Sequence, residues 1–178
     1  MSPGPAVLPG DVLAVRSGSL AAWAIRFGSA FRDGPNLSNH IAVASHYDAH
    51  GTLWCAEGKP GGVGQRDARA YLASPWTLTN AAQPKTRAQR DAVAGVMTAL
   101  NGTAYDWQAI CASAARDLGF TLPGWDPGWH GQVPAHVICS SLAAYAYAKA
   151  GLACPPGERG CQPSDWDTWI LTRGWTKA

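Results

Sequence analysis

The chain has 178 residues, enough for one domain with a buried core, and 47% of them are hydrophobic against 15% charged. That balance excludes a disordered polyelectrolyte, and a net charge of +2 with scattered Lys and Arg argues against a nucleic-acid or anionic-membrane surface. No apolar run is long enough for a transmembrane helix, so no integral membrane segment is expected. Met1-Ser2-Pro3-Gly4-Pro5 has neither a basic nor an apolar secretory region, so the chain is expected to be cytoplasmic at synthesis. Association with a virion or with a cell wall after lysis stays open.

In chain order, Val12–Val15 reads as a short buried strand, and Ser19–Phe27 carries a helical stripe of Leu20, Trp23, Ala24 and Phe27. Gly34–Asn39 is loop by composition. His40–Tyr47 and Leu53–Glu57 read as strands joined by Asp48-Ala49-His50-Gly51, a hairpin turn ending in glycine. Pro60–Gly64 is a glycine-rich exit, and Trp76–Thr79 another strand. Thr86–Leu100 has apolar residues at helical spacing and stops at Asn101-Gly102.

Trp107–Leu118 is predicted helical with Asp106 as its N-cap, and Gly119–Val133 is a proline- and tryptophan-containing loop. Val137–Ala150 is an Ala-rich helix ending at Gly151. Pro163 opens a last helix running to Thr172. The order of elements predicts an α+β fold, a small antiparallel sheet packed against helices, within one domain spanning residues 1–178.

The five cysteines at 55, 111, 139, 154 and 161 are an odd number at irregular spacing, which is no disulfide framework. Cys154 and Cys161 flank a short loop and either pair or remain two reduced thiols. No accompanying CxxC or HxxxH spacing points to a metal, and no cofactor is implied.

Cys139 stands apart from the other four. It lies at the start of a helix, where the positive end of the helix dipole favours a thiolate. Cys55 lies inside a strand, Cys111 within a helix, and Cys154 and Cys161 in a loop. A cysteine nucleophile also needs a base and a group to orient that base. His40 begins a strand after a loop. If Tyr47 faces Thr52 across the hairpin, His40 falls opposite Lys59 with Glu57 as its diagonal neighbour, close enough to fix the imidazole tautomer. His46 shares strand parity with His40 but lies about 20 Å along the strand at ~3.3 Å per residue, so an exposed hairpin histidine is the simpler reading. His50 reads as a solvated turn residue, and His136 and His130 as loop histidines.

Gly10-Asp11-Val12-Leu13-Ala14-Val15, Ser38-Asn39-His40-Ile41-Ala42-Val43, Ala56-Glu57 followed by Gly61-Gly62-Val63, Gly102-Thr103-Ala104-Tyr105-Asp106, and Ile138-Cys139-Ser140-Ser141-Leu142 together resemble the circularly permuted branch of the papain-like NlpC/P60 superfamily. That branch includes YiiX-like and lecithin:retinol acyltransferase-like enzymes. Its members carry the His strand before the Cys helix, as here. The resemblance runs from Gly10 to Pro163-Ser164-Asp165. It implies Cys139 as nucleophile, His40 as base and Glu57 as the orienting residue, with Tyr105, Ser140 and Asn39 as substrate-contact candidates.

The resemblance implies acyl transfer through a thioester, without metal or cofactor. Two substrate classes follow from it, a bacterial cell-wall peptide or an acyl-lipid or N-acyl compound. A non-catalytic module keeping the fold, for example in a virion, is the remaining alternative.

Overall fold

The computed structural model describes residues 6–16, 18, 37–117, 119–120, 136–155 and 161–174. The expected helix at 19–27 and the tryptophan loop at 125–129, with His130, lie outside those residues. The described elements are β1 (Val12–Val15), β2 (His40–Tyr47), β3 (Leu53–Lys59), β4 (Gly62–Asp67), α1 (Arg69–Leu72), β5 (Leu78–Thr79), α2 (Arg87–Ala99), β6 (Ala104–Tyr105), α3 (Trp107–Asp117), β7 (His136–Val137), α4 (Cys139–Lys149) and α5 (Pro163–Thr172). The fold is α+β.

Five strands form one antiparallel sheet in the order β4-β3-β2-β1-β5. Both faces are covered, which is why VLAV is buried at all four positions instead of alternating. On one face Val12, Ala14, Ile41, Val43 and Ala56 meet Val93 and Met97 of α2 and Leu142, Ala143 and Tyr147 of α4. On the other, Leu13, Val15, Ala42, Ala44 and Cys55 meet Ala68 and, less deeply, Tyr71 and Leu72. The helix α4 is buried all round, between the sheet and its neighbours, so its small alanines are what let it approach the strands.

Three boundaries differ from expectation, each for a physical reason. Gly62–Asp67, expected only as an exit, is a full strand paired with β3 from Lys59↔Gly62 to Trp54↔Asp67. Its glycines carry no strand propensity, but Gly62 is required where it sits. Gly62 has φ +110°, and a Cβ there would lie 2.8 Å from the Thr103 carbonyl oxygen. Val63 donates to that same oxygen at 2.8 Å and accepts from Gly102 N–H at 2.9 Å, so β4 is held from both edges.

The helix expected from Val137 begins instead at Cys139. Residues 136–137 form β7, parallel to β6, with Tyr105↔Val137 in register. The strand expected from Trp76 is confined to Leu78–Thr79, pairing with β1. Other expected features hold. Asp106 caps α3 through Ala109 N–H at 2.8 Å and Pro163 is the first residue of α5, while Thr86, not singled out beforehand, caps α2 through Gln89 N–H at 3.2 Å.

The β2–β3 hairpin is shifted by one residue at its tip and corrected by a bulge. Tyr47 faces Leu53, not Thr52, and His46 faces Trp54. The register then changes at Ser45, so that Ala44 faces Cys55 and Ala42 faces Glu57. The two shifts cancel along the inner half of the strand. The expected diagonal relation of His40 and Glu57 therefore stands, while the expected parity of His46 with His40 does not: the bulge turns His46 to the opposite face, where it is exposed.

A buried polar cluster secures the far end of the sheet. Asp11, with no solvent exposure, accepts from Lys85 Nζ at 2.8 Å and from Arg90 NH1 at 2.9 Å, and Lys85 is itself fully buried. Tyr147 donates to the Gly10 carbonyl at 2.6 Å and accepts from Asn80, whose Oδ1 receives Val12 N–H at 2.8 Å. This joins β1, the β5 end and α4. Removing one partner of such a pair strands the other charge without water. Asp11→Ala is expected to lower unfolding free energy by about 3–5 kcal/mol in urea titration, more than exposed Asp91→Ala.

Candidate active site

Cys139 is the first residue of α4, with Ile138 extended before it. Ser141 closes this entry, its hydroxyl accepting from Ile138 N–H at 3.3 Å and donating to Ile138 C=O at 3.1 Å. The helix start lies directly on β3, since a Cβ built on Gly58 would stand 3.2 Å from the Cys139 backbone nitrogen. No larger residue fits there without moving the helix.

His40 opens β2 opposite Val15 of β1. Its Nε2 is 2.7 Å from Glu57 Oε2, and its side chain also interacts with the Cys139 thiol. With Nε2 committed to the carboxylate, Nδ1 is the atom left for sulfur. The thiol is further hydrogen-bonded by the backbone N–H groups of Ile41 and Ser140. Cys139, His40 and Glu57, brought from α4, β2 and β3, thus form one interacting set.

The electrostatics follow from that set. Burial of Cys139 by itself favours the neutral thiol, but the adjacent His40 cation and the three hydrogen bonds overcome it and lower its pKa. Burial likewise favours neutral imidazole, yet Cys139 and then Glu57 push the His40 pKa up to about 10. Glu57, only 1% exposed, is held at about 2 against its burial by His40 first and then by Tyr71 and Arg66. Cys55, two residues from Glu57 on the same strand face and without a cation of its own, is pushed to about 12 by burial. Two buried cysteines in one sheet-and-helix core therefore diverge in opposite directions.

Of the substrate-contact candidates, Tyr105 is beside the site. The β6–β7 pairing places it near enough to Cys139 to feel the sulfur's charge, and its ring meets exposed Trp107 edge-on at 5.1 Å between centroids. Ser140 does not offer its hydroxyl to a cleft. That group is buried and donates to the Cys161 carbonyl at 2.5 Å, while the Ser140 carbonyl accepts from Trp166 Nε1 at 3.2 Å. Only the Ser140 N–H faces the thiol. Asn39 is 1% exposed with its N–H on the Val15 carbonyl at 3.0 Å, so its place is in the β1–β2 junction and not at a substrate surface. His50 is exposed in the hairpin turn. Cys154 and Cys161 are not joined by a disulfide.

Four contributors were not foreseen. Tyr71 of α1 donates to Glu57 Oε2, Arg66 Nε to Glu57 Oε1 at 3.1 Å, and Lys59 Nζ to the same oxygen at 3.4 Å. The signal for Arg66 was register, because it faces Cys55 in β4 and so shares the Glu57 face. It was invisible while β4 was read as loop. Asp167 of α5 is the fourth. It is fully buried and its Oδ2 accepts from Leu37 N–H at 2.9 Å and Ser38 N–H at 2.8 Å, tethering the lead-in to His40.

Among the described residues no group of three or more His, Cys, Asp or Glu side chains is arranged to hold a metal, and no helix is long and apolar enough to cross a membrane. Neither protein-family models nor curated proteins gave a match to this chain.

The sign of the pH dependence follows from the pair. Thiolate is lost as pH falls through the lowered Cys139 pKa, and imidazolium is lost as pH rises through about 10. Iodoacetamide is expected to alkylate Cys139 well below the pH at which Cys154 reacts, whose thiol burial pushes upward, as read by mass spectrometry of the labelled peptides. Equal pH dependence at the two cysteines would contradict the ion pair.

Proposed function

We propose that this chain is a cysteine-dependent amide hydrolase of the permuted NlpC/P60 kind, cleaving cell-wall peptides through a thioester on Cys139. What carries the reading is that His40 bonds Glu57 at 2.7 Å while interacting with the thiol of Cys139, whose pKa it lowers. Such an arrangement serves nucleophile, base and orienting group together.

Sulfur attacks the substrate carbonyl, forming the S–C bond as the carbonyl π pair moves to oxygen. The first backbone N–H to bond within α4 is that of Leu142, to Ile138 C=O. The N–H groups before it point out of the helix start and suit an oxyanion. Collapse breaks the C–N bond, and the amine leaves with the proton from His40. The imidazole then takes a proton from water, which attacks the thioester carbonyl and expels the thiolate. Glu57 stays ionised throughout and holds the ring.

A second reading, transfer or hydrolysis of an acyl-lipid, is favoured by one feature. Exposed Trp107 packed on Tyr105 gives an apolar wall beside the sulfur. The two readings share all chemistry at Cys139 and differ in what lies along that wall.

Turnover should be measured on muropeptides and on acyl-lipids with wild type, Cys139→Ala and Glu57→Gln. Cys139→Ala is expected to abolish turnover, and Glu57→Gln to lower kcat by roughly 100-fold or more with the fold intact by circular dichroism. Undiminished turnover in Cys139→Ala on both substrate classes would sink the enzymatic reading. Turnover of the acyl-lipid alone would select the second.

A further inference from the structure

Glu57 carries more partners than orienting an imidazole requires. Its Oε2 accepts from His40 at 2.7 Å and from the Tyr71 hydroxyl. Its Oε1 accepts from Arg66 Nε at 3.1 Å and Lys59 Nζ at 3.4 Å. One such contact on each oxygen would fix the carboxylate. Two cations on one oxygen do something else as well, because they cancel its charge. They are part of the local framework, Arg66 lying over the Tyr71 ring at 5.7 Å and Lys59 following Gly58 on the strand that α4 touches.

The charged and titratable groups facing His40 come from five elements. Cys139 belongs to α4, Glu57 and Lys59 to β3, Arg66 to β4 and Tyr71 to α1, while Tyr105 of β6 stands against Cys139 and Cys55 lies on the far side of Glu57. Tyr71, Tyr105 and Cys55 are all pushed toward their neutral forms by burial. The net charge around the ring is therefore decided by the thiolate and Glu57 against Arg66 and Lys59.

An imidazolium between a thiolate and an unshared carboxylate would hold its proton strongly, and a strongly held proton is a poor one to give to a leaving amine. Once sulfur is acylated its charge is gone, and Glu57 alone sets how tightly the ring keeps the proton. We propose that Arg66 and Lys59 are positioning residues that share Glu57 with His40 and thereby weaken the imidazolium's hold on the proton it must donate. The proposal rests on the reading of Cys139, His40 and Glu57 as the catalytic set.

The test uses Arg66→Gln, Lys59→Gln, the double variant and Arg66→Lys. His40 is titrated by the NMR signals of its ring, and Cys139 by the rate of iodoacetamide alkylation against pH. Removing a nearby cation makes thiolate harder to form and imidazolium harder to deprotonate, so both steps move to higher pH. The expected rise is roughly half a pH unit in each single Gln variant, after allowance for solvent screening of half-exposed side chains. It is larger in the double variant and absent in Arg66→Lys.

A role limited to packing would loosen the set and draw the two steps together, Cys139 upward and His40 downward, and that result overturns the proposal. Unmoved titrations overturn it too while leaving the catalytic reading intact. An unmodified chain without Cys139 thiolate at neutral pH would overturn the catalytic reading, and this proposal with it.

Discussion

The approach of α4 to β3 at Gly58 governs the rest of the site. A helix start and a strand normally keep a side chain's width between them, but here a Cβ at residue 58 would meet the Cys139 nitrogen at 3.2 Å. That closeness brings Cys139 Sγ to the end of β2, where Ile41 N–H and the His40 side chain reach it. Small residues within the packed part of the helix, Ala143, Ala144 and Ala146, are wholly buried and take up little room between it and its neighbours. Trp166 and Tyr147 pin it from other sides by hydrogen bonds to Ser140 C=O, Gly10 C=O and Asn80.

Close packing then turns into chemistry through charge. In a core lacking water, an isolated thiol stays protonated, as Cys55 does. Cys139 departs from that behaviour because a cation, a helix start and two backbone N–H groups converge on it. The cation is held in turn by Cys139 and then by Glu57, and Glu57 stays ionised while buried because His40, and after it Tyr71 and Arg66, bond its oxygens. Each group would be costly to bury without the next. These contacts tie the nucleophile to the sheet edge at β4 and to the short helix that follows.

The remaining tethers hold the strand that carries His40. Asp167 grips the backbone at Leu37 and Ser38, and Asn39 N–H closes onto Val15. On the other side, β6 and β7 lie parallel, and Asp106 N–H donates to Val137 C=O at 3.0 Å, so the turn into α3 and the entry to α4 share a backbone frame. Tyr105 and Trp107 are presented beside the thiol by that frame. Gly62 is explained by it as well, because a Cβ there would collide with the Thr103 carbonyl while the next residue, Val63, bonds to Gly102 and Thr103.

By itself, the sequence determined the elements whose signals are local. VLAV and HIAVASHY are apolar and β-branched enough to be strands, Thr86–Leu100 has helical spacing and stops at Asn101-Gly102, and Pro163 suits the first turn of a helix. It also singled out Cys139, because a helix start is legible from the residues around it, and it paired His40 with Glu57 by hairpin parity. That pairing survived a misplaced turn only because the bulge at Ser45 restored the register. Tertiary structure decided everything that depends on a distant partner. Gly62–Asp67 is a strand because β3 and the Gly102–Thr103 backbone bond both its edges, not because its residues favour extension. Arg66, Lys59 and Tyr71 on Glu57, Asp167 on the chain before His40, and the burial of Ser140 and Asn39 follow from packing between elements far apart in sequence. Periodicity and capping act over a turn or two of chain, whereas charge and hydrogen bonding in a dry interior are settled by whichever groups the fold brings within reach.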